Sequence, residues 1–182
     1  QRADSNSCHP SERVQINSEE SGWHYLQIHR HRGSSETRMD IMARGGSVYR
    51  AMAEGSIVDP GSYPGAFTVG AVRVGSYATD GEESFSSQGP TSSGWRKPEI
   101  TGPNGIDTFS YGPQSFFGTS AATPAVAGAV ALVLGADPAL SPREAARFLE
   151  ENALPGYGSG EAEKATGRAR LPVPKGGPGS CR

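Results

Sequence analysis

The sequence has almost no excess of charge of either sign, and it lacks long apolar runs. Its 17 Lys and Arg residues and 19 Asp and Glu residues leave a formal net charge of −2, and no basic stripe is visible. A surface of this kind gives no electrostatic reason to bind nucleic acid. No apolar run approaches the length needed to cross a membrane, and no segment is typical of a secretory signal peptide. We therefore expect neither nucleic acid nor a membrane as a partner.

Cysteine is also scarce. The two cysteines, Cys8 and Cys181, lie near opposite ends of the chain, and neither has Cys or His neighbours at the spacing of a zinc site. In an oxidising compartment we expect both in disulfides, either with each other or, for Cys8, with a separate N-terminal polypeptide. In a reducing compartment they would be two ordinary thiols.

A short stretch of small residues leads into the longest apolar segment of the chain. Gly118 permits a sharp turn, and Thr119, Ser120 and Thr123 are residues that can cap the start of a helix. The following segment to Leu134 is apolar all round, which predicts a helix that is buried on every side. A serine at its start would lie where helix N–H groups and the helix dipole favour a nucleophile and its oxyanion. The alternative is that Ser120 only caps a core helix.

Residues 118–128 resemble the nucleophile motif of the subtilisin-like serine peptidases, Gly-Thr-Ser-x-Ala-x-Pro-x-Val-Ala-Gly, and fill every fixed position. Ala125 stands where many members have a histidine that takes no part in catalysis. The resemblance implies that Ser120 is the acyl-forming nucleophile and that its own backbone N–H binds the oxyanion. It also implies that Gly118 and Thr119 help to shape the substrate cleft.

Further segments carry the same resemblance. Tyr63-Pro64, before the apolar strand at 66–72, looks like the family's Tyr-Pro turn, which implies a cis bond that shapes the floor of the cleft. Residues 84–90 match its Phe-Ser-Ser-x-Gly-Pro loop, and residues 97–105 resemble its Lys-Pro-Asp-Val-x-Ala-Pro-Gly strand and turn. In the latter, Gly-Pro-Asn-Gly replaces Ala-Pro-Gly, which should alter the turn but not the strand.

The segment after the motif predicts a second helix and then the short strand that closes the fold. Ser141-Pro142-Arg143-Glu144 has the form of a capping box, followed by an amphipathic helix to about Leu154. Residues 167–171 resemble the short closing strand of bacterial members. The resemblance thus covers about residues 47–172 and implies the C-terminal half of an α/β, three-layer fold around a parallel sheet. Residues 173–182 form a Pro/Gly-rich tail.

Residues 1–46 are predicted to be a short β-rich segment that looks like the end of an insertion. The alternation at 23–31 predicts a strand, and 37–43 its returning partner. His29 and His31 share a face of that strand, but no acidic or thiol ligand accompanies them, so we predict no metal site. No cofactor is expected, and a structural calcium ion, though compatible with the family, cannot be assigned to any residues.

The family's motifs for the catalytic Asp, the catalytic His and the oxyanion Asn are absent. Asp4-Ser5 is followed by Asn6 instead of Gly, and none of the four histidines (His9, His24, His29, His31) stands in a His-Gly-Thr context. A serine needs a base, and the base an orienting acid. We therefore expect an N-terminal fragment of the same precursor to supply these groups, and this chain to be inactive alone, with apolar sheet edges exposed.

Two functions remain open. Gln1 and Arg182 look like processing ends, which favours the nucleophile chain of a secreted, two-chain endopeptidase that acts on polypeptides. The alternative is a non-catalytic subtilase-like binding or scaffolding domain that kept the fold and lost the triad.

Overall fold

The structure is a computed structural model that describes residues 14–15, 21–29, 39–43, 45–77, 81–154 and 169–170. The chain divides into two compact units, Gln1–Met39 and Asp40–Arg182. Every helix and strand among the described residues belongs to the second unit. They are β1 (Val69–Arg73), a 3-10 helix (Val74–Ser76), β2 (Ile100–Asn104), β3 (Ile106–Thr108), β4 (Gly112–Phe116), α1 (Thr119–Ala136), α2 (Pro142–Glu151) and β5 (Ala169–Arg170).

The two strands predicted near the N-terminus are not formed by the residues that can be described. Residues 21–29 and 39–43 adopt no regular strand, and all of them are exposed. The prediction is therefore wrong for these residues, because alternation stabilises a hairpin only when one face is buried. Residues 30–38 lie outside the described part of the chain.

A parallel sheet in the order β1-β2-β5 forms the centre of the second unit. β1 and β2 pair from Val69 opposite Ile100 to Arg73 opposite Asn104. β5 pairs with the start of β2 through Ala169, opposite Ile100. Strands β1 and β2 are almost entirely buried, as parallel strands covered on their faces are. The predicted α/β fold class is confirmed.

Helix α1 packs directly on the backbone of β2. A Cβ atom at Gly102 would lie 2.8 Å from the carbonyl oxygen of Ala122 and 2.9 Å from a methyl carbon of Val126. Glycine at this position therefore sets how closely the helix can approach the sheet. The buried cluster around this contact consists of Val69, Ala71, Ile100, Ala122, Val126 and Leu149.

The prediction that α1 is buried on every side is wrong. Only Ala121, Ala122 and Val126 are buried, and Leu132 is 77% exposed. The exposed residues of α1 that lie away from the sheet, here called the outer face, are Thr123, Pro124, Ala127, Gly128, Ala131, Leu132 and Gly135. An apolar composition on all sides cannot indicate which side a neighbour covers, so the sequence pattern could not reveal this face.

The expectation that no apolar run approaches membrane-spanning length also needs correction. α1 has 18 residues with a mean hydropathy of 1.6, which by length and composition alone would be enough to cross a membrane. Core helices of globular proteins pass the same test, and α1 packs on β1, β2 and α2.

A loop closes the outer edge of β1. Ala71 donates its backbone N–H to the Ser86 Oγ at 3.0 Å, and its carbonyl oxygen accepts the backbone N–H of Glu83 at 2.9 Å. A parallel bridge between Glu54 and Gln88 holds the same loop further along. The expectation of an open sheet edge is therefore wrong at Ala71, because side-chain and loop groups replace a neighbouring strand.

A buried lysine ties the chain entering β1 to β2. Lys97 is 1% exposed, its Nζ is paired with the Glu99 carboxylate, and it donates to the Ala66 carbonyl oxygen at 2.5 Å. The other Glu99 oxygen accepts the Thr68 N–H at 2.9 Å. Burial raises the pKa of Glu150 on α2, and the nearby Glu99 carboxylate adds to that rise. The buried Lys97 and the half-buried Glu99 thus each have a partner at the N-terminal end of the sheet.

The capping box predicted at the start of α2 is confirmed. Ser141 Oγ accepts the Glu144 N–H at 3.3 Å, and Glu144 Oε2 accepts the Ser141 N–H at 2.8 Å. The bonds that the Ser141 hydroxyl and N–H donate lower the pKa of the Glu144 carboxyl. Pro142 is the first helical residue, and the helix buries Ala145 and Leu149.

Candidate functional site

Ser120 is exposed and is the second residue of α1. The residue before the helix is Gly118, with φ 97° and ψ 173°, a conformation that is essentially restricted to glycine. Its carbonyl oxygen accepts the first helical hydrogen bonds, from Ala121 N–H at 3.0 Å and Ala122 N–H at 3.3 Å. The N–H groups of Thr119 and Ser120 precede these bonds, at the positive end of the helix dipole.

Ser120 does not cap the helix. The N-cap is Gly118, which has no side chain, whereas Thr119, Ser120 and Thr123 all have helical backbones. The expectation that one of them caps α1 is therefore wrong, because a cap residue must have a non-helical backbone. In the part of the chain that the structure describes, the Ser120 hydroxyl makes no hydrogen bond. The hydroxyl is therefore both exposed and unbonded at the start of the helix.

The turn before Ser120 is held by a buried amide. Asn104, the last residue of β2, has no exposed surface; its Oδ1 accepts the Gly118 N–H at 3.3 Å, and its Nδ2 donates to Glu83 Oε1 at 3.0 Å. Gly105 then turns the chain into β3 with φ 73°. In the sequence, this region is marked by Gly-Pro-Asn-Gly in place of the family's Ala-Pro-Gly. That difference predicts a changed turn, but it does not indicate that the Asn104 amide accepts the Gly118 N–H.

The β3–β4 hairpin brings aromatic surface to the residue just before Gly118. Tyr111 stacks on Phe116 with ring centroids 4.7 Å apart, and the guanidinium of Arg73 lies 5.8 Å from the ring centroid of Phe117. Phe109, Tyr111 and Phe117 are exposed. The chain therefore enters the turn at Gly118 from an apolar, solvent-facing hairpin.

The predicted cis bond at Tyr63–Pro64 is wrong. Among the described residues, the cis bonds are at Asp59–Pro60, Gly89–Pro90 and Lys97–Pro98. The Tyr63 carbonyl oxygen accepts the Ala66 N–H at 3.0 Å, which places Pro64 second in a β-turn, a position that trans proline favours. Two Pro-Gly pairs, Pro60-Gly61 and Pro64-Gly65, occur in this loop, and the cis bond is the one before Pro60.

The structure does not bring Tyr63 and Pro64 together with Ser120. Their loop lies by the start of β1, where Thr68 Oγ1 donates to the Gly61 carbonyl oxygen at 2.7 Å. Ser120 lies beyond the opposite end of the sheet, next to the last residue of β2. A strand of this length spans roughly 16 Å. That Tyr63 and Pro64 shape the cleft stays a prediction.

The second unit, which carries Ser120, contains no histidine in its sequence. His24 and His29 belong to the first unit and are exposed, and His9 and His31 lie outside the described residues. Among the residues that the structure describes, no group of three or more His, Cys, Asp or Glu side chains could hold a metal ion. Cys8 and Cys181 also lie outside the described residues, so their pairing stays a prediction.

Comparison with known proteins gives one family. The model of the subtilase family matches residues 4–173, and thus extends further toward the N-terminus than the resemblance at 47–172. The serine protease AprX of Bacillus subtilis (strain 168) is 34% identical over 116 residues, which represent 52% of this chain and 26% of AprX. The chain therefore spans about a quarter of the length of this curated relative. No solved structure matches.

The family model matches nearly the whole chain. The structure places Ser120, which is exposed, at the start of a helix that packs on a parallel sheet. On this basis the chain belongs to the subtilase family of serine peptidases.

Proposed function

We propose that this chain carries the nucleophile of a secreted subtilisin-like serine endopeptidase that cleaves polypeptides through an acyl-enzyme on Ser120. The observation that carries the proposal is the exposed Ser120 hydroxyl at the start of α1, beside N–H groups that precede the first helical hydrogen bonds. This position matches what acyl transfer needs from a serine and from the donors around it.

The proposed reaction follows from that position. Ser120 Oγ attacks the carbonyl carbon of the scissile peptide bond while its proton passes to a histidine base. The oxyanion that forms accepts a hydrogen bond from the Ser120 N–H. The base then returns the proton to the leaving amine, and water hydrolyses the ester to release the second product. Gly118 and Thr119, with Tyr63 and Pro64, are proposed to shape the cleft that binds the polypeptide.

The base, its orienting Asp and an oxyanion Asn are proposed to come from an N-terminal fragment of the same precursor. The absence of histidine from the second unit supports this, because Ser120 then needs a base from elsewhere. The outer face of α1 gives a second argument. An exposed apolar helix face of this kind marks a surface that another polypeptide covers. A partner docked there would lie on the helix that begins with the nucleophile.

Secretion and covalent attachment are parts of the same proposal. In an oxidising compartment Cys8 would bond either to the N-terminal partner or to Cys181. Electrophoresis of the native protein with and without reductant separates these cases. A second band only after reduction supports the interchain bond, and two titratable thiols with unchanged mobility would contradict both.

The principal test is labelling with a fluorophosphonate probe, which reacts with an activated serine. We expect the protein purified with its proposed partner to be labelled at Ser120, and Ser120→Ala to abolish the label. Ser115→Ala, which removes another exposed serine from the neighbouring strand β4, is the matched control and should label like the wild type. The 182-residue chain alone should label at least about a thousandfold more slowly, for want of a base.

Two outcomes would contradict the proposal. A label that survives Ser120→Ala would mean that another nucleophile reacts. A correctly assembled protein that takes up no label would favour the alternative, a subtilase-like binding or scaffolding domain without catalysis.

A further inference from the structure

We infer that Asn104, oriented by Glu83, is a positioning residue for the nucleophile, since it fixes the Gly118 peptide from which α1 and Ser120 begin. The inference rests on the proposed function, because it assigns a task within the same site. Its basis is one continuous line of hydrogen bonds: Asn104 Nδ2 to Glu83 Oε1 at 3.0 Å, and Gly118 N–H to Asn104 Oδ1 at 3.3 Å.

The polarity of the two neighbours fixes the orientation of the amide. An ionised carboxylate only accepts hydrogen bonds, and a backbone N–H only donates them. Only the orientation with Nδ2 toward Glu83 and Oδ1 toward Gly118 satisfies both, and Asn104 is completely buried, where an unpaired amide would be costly. Glu83 therefore selects the side of Asn104 that faces the nucleophile turn.

Glu83 is itself attached to the sheet through its backbone. Its backbone N–H donates to the Ala71 carbonyl oxygen at 2.9 Å, on the outer edge of β1. The line of bonds thus runs from β1 through Glu83 and Asn104 to Gly118. Because a charged acceptor at one end polarises the amide, Oδ1 becomes a stronger acceptor at the other end.

Packing does not hold Gly118 in place. A Cβ atom built there would meet only the Ser120 nitrogen, at 3.6 Å, so the space around this glycine is open. Glycine also has the widest choice of backbone conformations. The conformation at φ 97° and ψ 173° therefore depends on hydrogen bonds. Its carbonyl oxygen is held by Ala121 and Ala122, and its N–H is held by Asn104.

Four variants separate positioning from general stability. Asn104→Ala removes both hydrogen bonds. Asn104→Asp keeps an acceptor for Gly118 but places a carboxylate against Glu83. The double variant Asn104→Asp/Glu83→Gln reverses the charge arrangement and restores both bonds, because the amide introduced at position 83 would then donate to the new carboxylate. Asn152→Asp, on the exposed end of α2, is the matched control for introducing the same charge.

The readout is the second-order rate constant for fluorophosphonate labelling of Ser120 in the assembled protein, measured from about pH 5 to pH 8 together with the melting temperature. Asn104→Ala should slow labelling roughly 10- to 100-fold, the range expected for a small displacement of a reacting group. In Asn104→Asp, the two carboxylates share a proton at low pH and repel when both ionise. Its deficit should therefore grow as the pH rises, and the double variant should restore the wild-type rate and pH profile. Asn152→Asp should change neither the labelling rate nor its pH profile.

A second measurement does not depend on catalysis. Amide hydrogen exchange at Gly118, followed by NMR on the isotope-labelled chain within the assembled protein, should be slow in the wild type and in the double variant. It should be fast in Asn104→Ala.

The inference is overturned if Asn104→Ala labels at the wild-type rate, or if the double variant remains as slow as Asn104→Asp at about pH 8. It is also overturned if Gly118 exchanges equally fast in the wild type and Asn104→Ala. If the wild-type protein itself takes up no label, the proposed function fails. The exchange measurement then decides by itself whether Asn104 fixes the Gly118 peptide.

Discussion

Single buried polar side chains fix the two ends of the parallel sheet. At the C-terminal end of β2, Asn104 links Glu83 to the nucleophile turn. At the other end, Lys97 and Glu99 hold the chain that enters β1. Asn104 and Lys97 are buried, Glu99 is half-buried, and all three have hydrogen-bonding partners, so each group should be sensitive to the loss of any one partner.

We predict that Lys97→Met lowers the free energy of unfolding by about 3–5 kcal/mol, because it leaves the Glu99 carboxylate without its cation and the Ala66 carbonyl oxygen without its donor. Urea unfolding followed by circular dichroism measures this. Arg147→Met is the matched control, since it removes the cation of the exposed pair with Glu151, which water and salt screen, and should leave the free energy of unfolding almost unchanged. Equal losses in the two variants would contradict a structural role for the buried pair.

Helix α1 and strand β2 meet through backbone instead of large side chains. The contact is closest at Gly102, and the small residues Ala121 and Ala122 face the sheet in the first turn of the helix. The position of Ser120 relative to β2 therefore depends on a separation that any side chain at residue 102 would increase.

We predict that Gly102→Ala lowers the free energy of unfolding by roughly 1–3 kcal/mol, because its Cβ would overlap the Ala122 carbonyl oxygen and force the helix outward. Gly128→Ala is the matched control on the same helix. Nothing lies within 4 Å of its added Cβ, so it should be neutral or stabilise the chain by up to about 1 kcal/mol. Thermal unfolding of both variants tests the pair, and a neutral Gly102→Ala would show that the helix can shift freely.

The elements that depend on local signals were predictable from the sequence, and those set by distant contacts were not. Ser141 and Glu144 lie in the same helical turn, so their capping box could be recognised directly. The partners of Asn104, by contrast, are 21 and 14 residues away in the chain, and no local pattern indicates them. The error at Tyr63–Pro64 is of a different kind, because the cis bond was implied by the family resemblance, whereas a local β-turn from Tyr63 to Ala66 places Pro64 where trans proline is favoured.

In addition to the exposed aromatic side chains of the β3–β4 hairpin, the described residues present an apolar surface on the outer face of α1. Leu132 is its most exposed large side chain. In a nucleophile-bearing chain with a polypeptide partner, this face would be covered. In a domain that acts by itself, it would remain in water.

Leu132→Asp distinguishes these two states. In the isolated chain the substitution should change the free energy of unfolding by less than about 0.5 kcal/mol, because the side chain is already exposed. In the protein assembled with its proposed partner it should weaken association by at least about 2 kcal/mol, since a charge would be buried in an apolar contact. Ala139→Asp, in the exposed turn between α1 and α2, is the control for added charge. Unchanged association in Leu132→Asp would mean that the partner does not cover this face.

The order of the sheet also bears on how the nucleophile turn forms during folding. Ile100 pairs with Ala169, and β3, β4, α1 and α2 all lie between these two residues in the sequence. The β3–β4 hairpin and the capping box of α2, by contrast, join residues that are near neighbours in the sequence. Because a long loop must close before its contacts are gained, the local elements are expected to form first and the sheet later. The Gly118 turn depends on Asn104 at the end of β2. The turn that positions Ser120 would therefore reach its final conformation only when the sheet closes, late in folding.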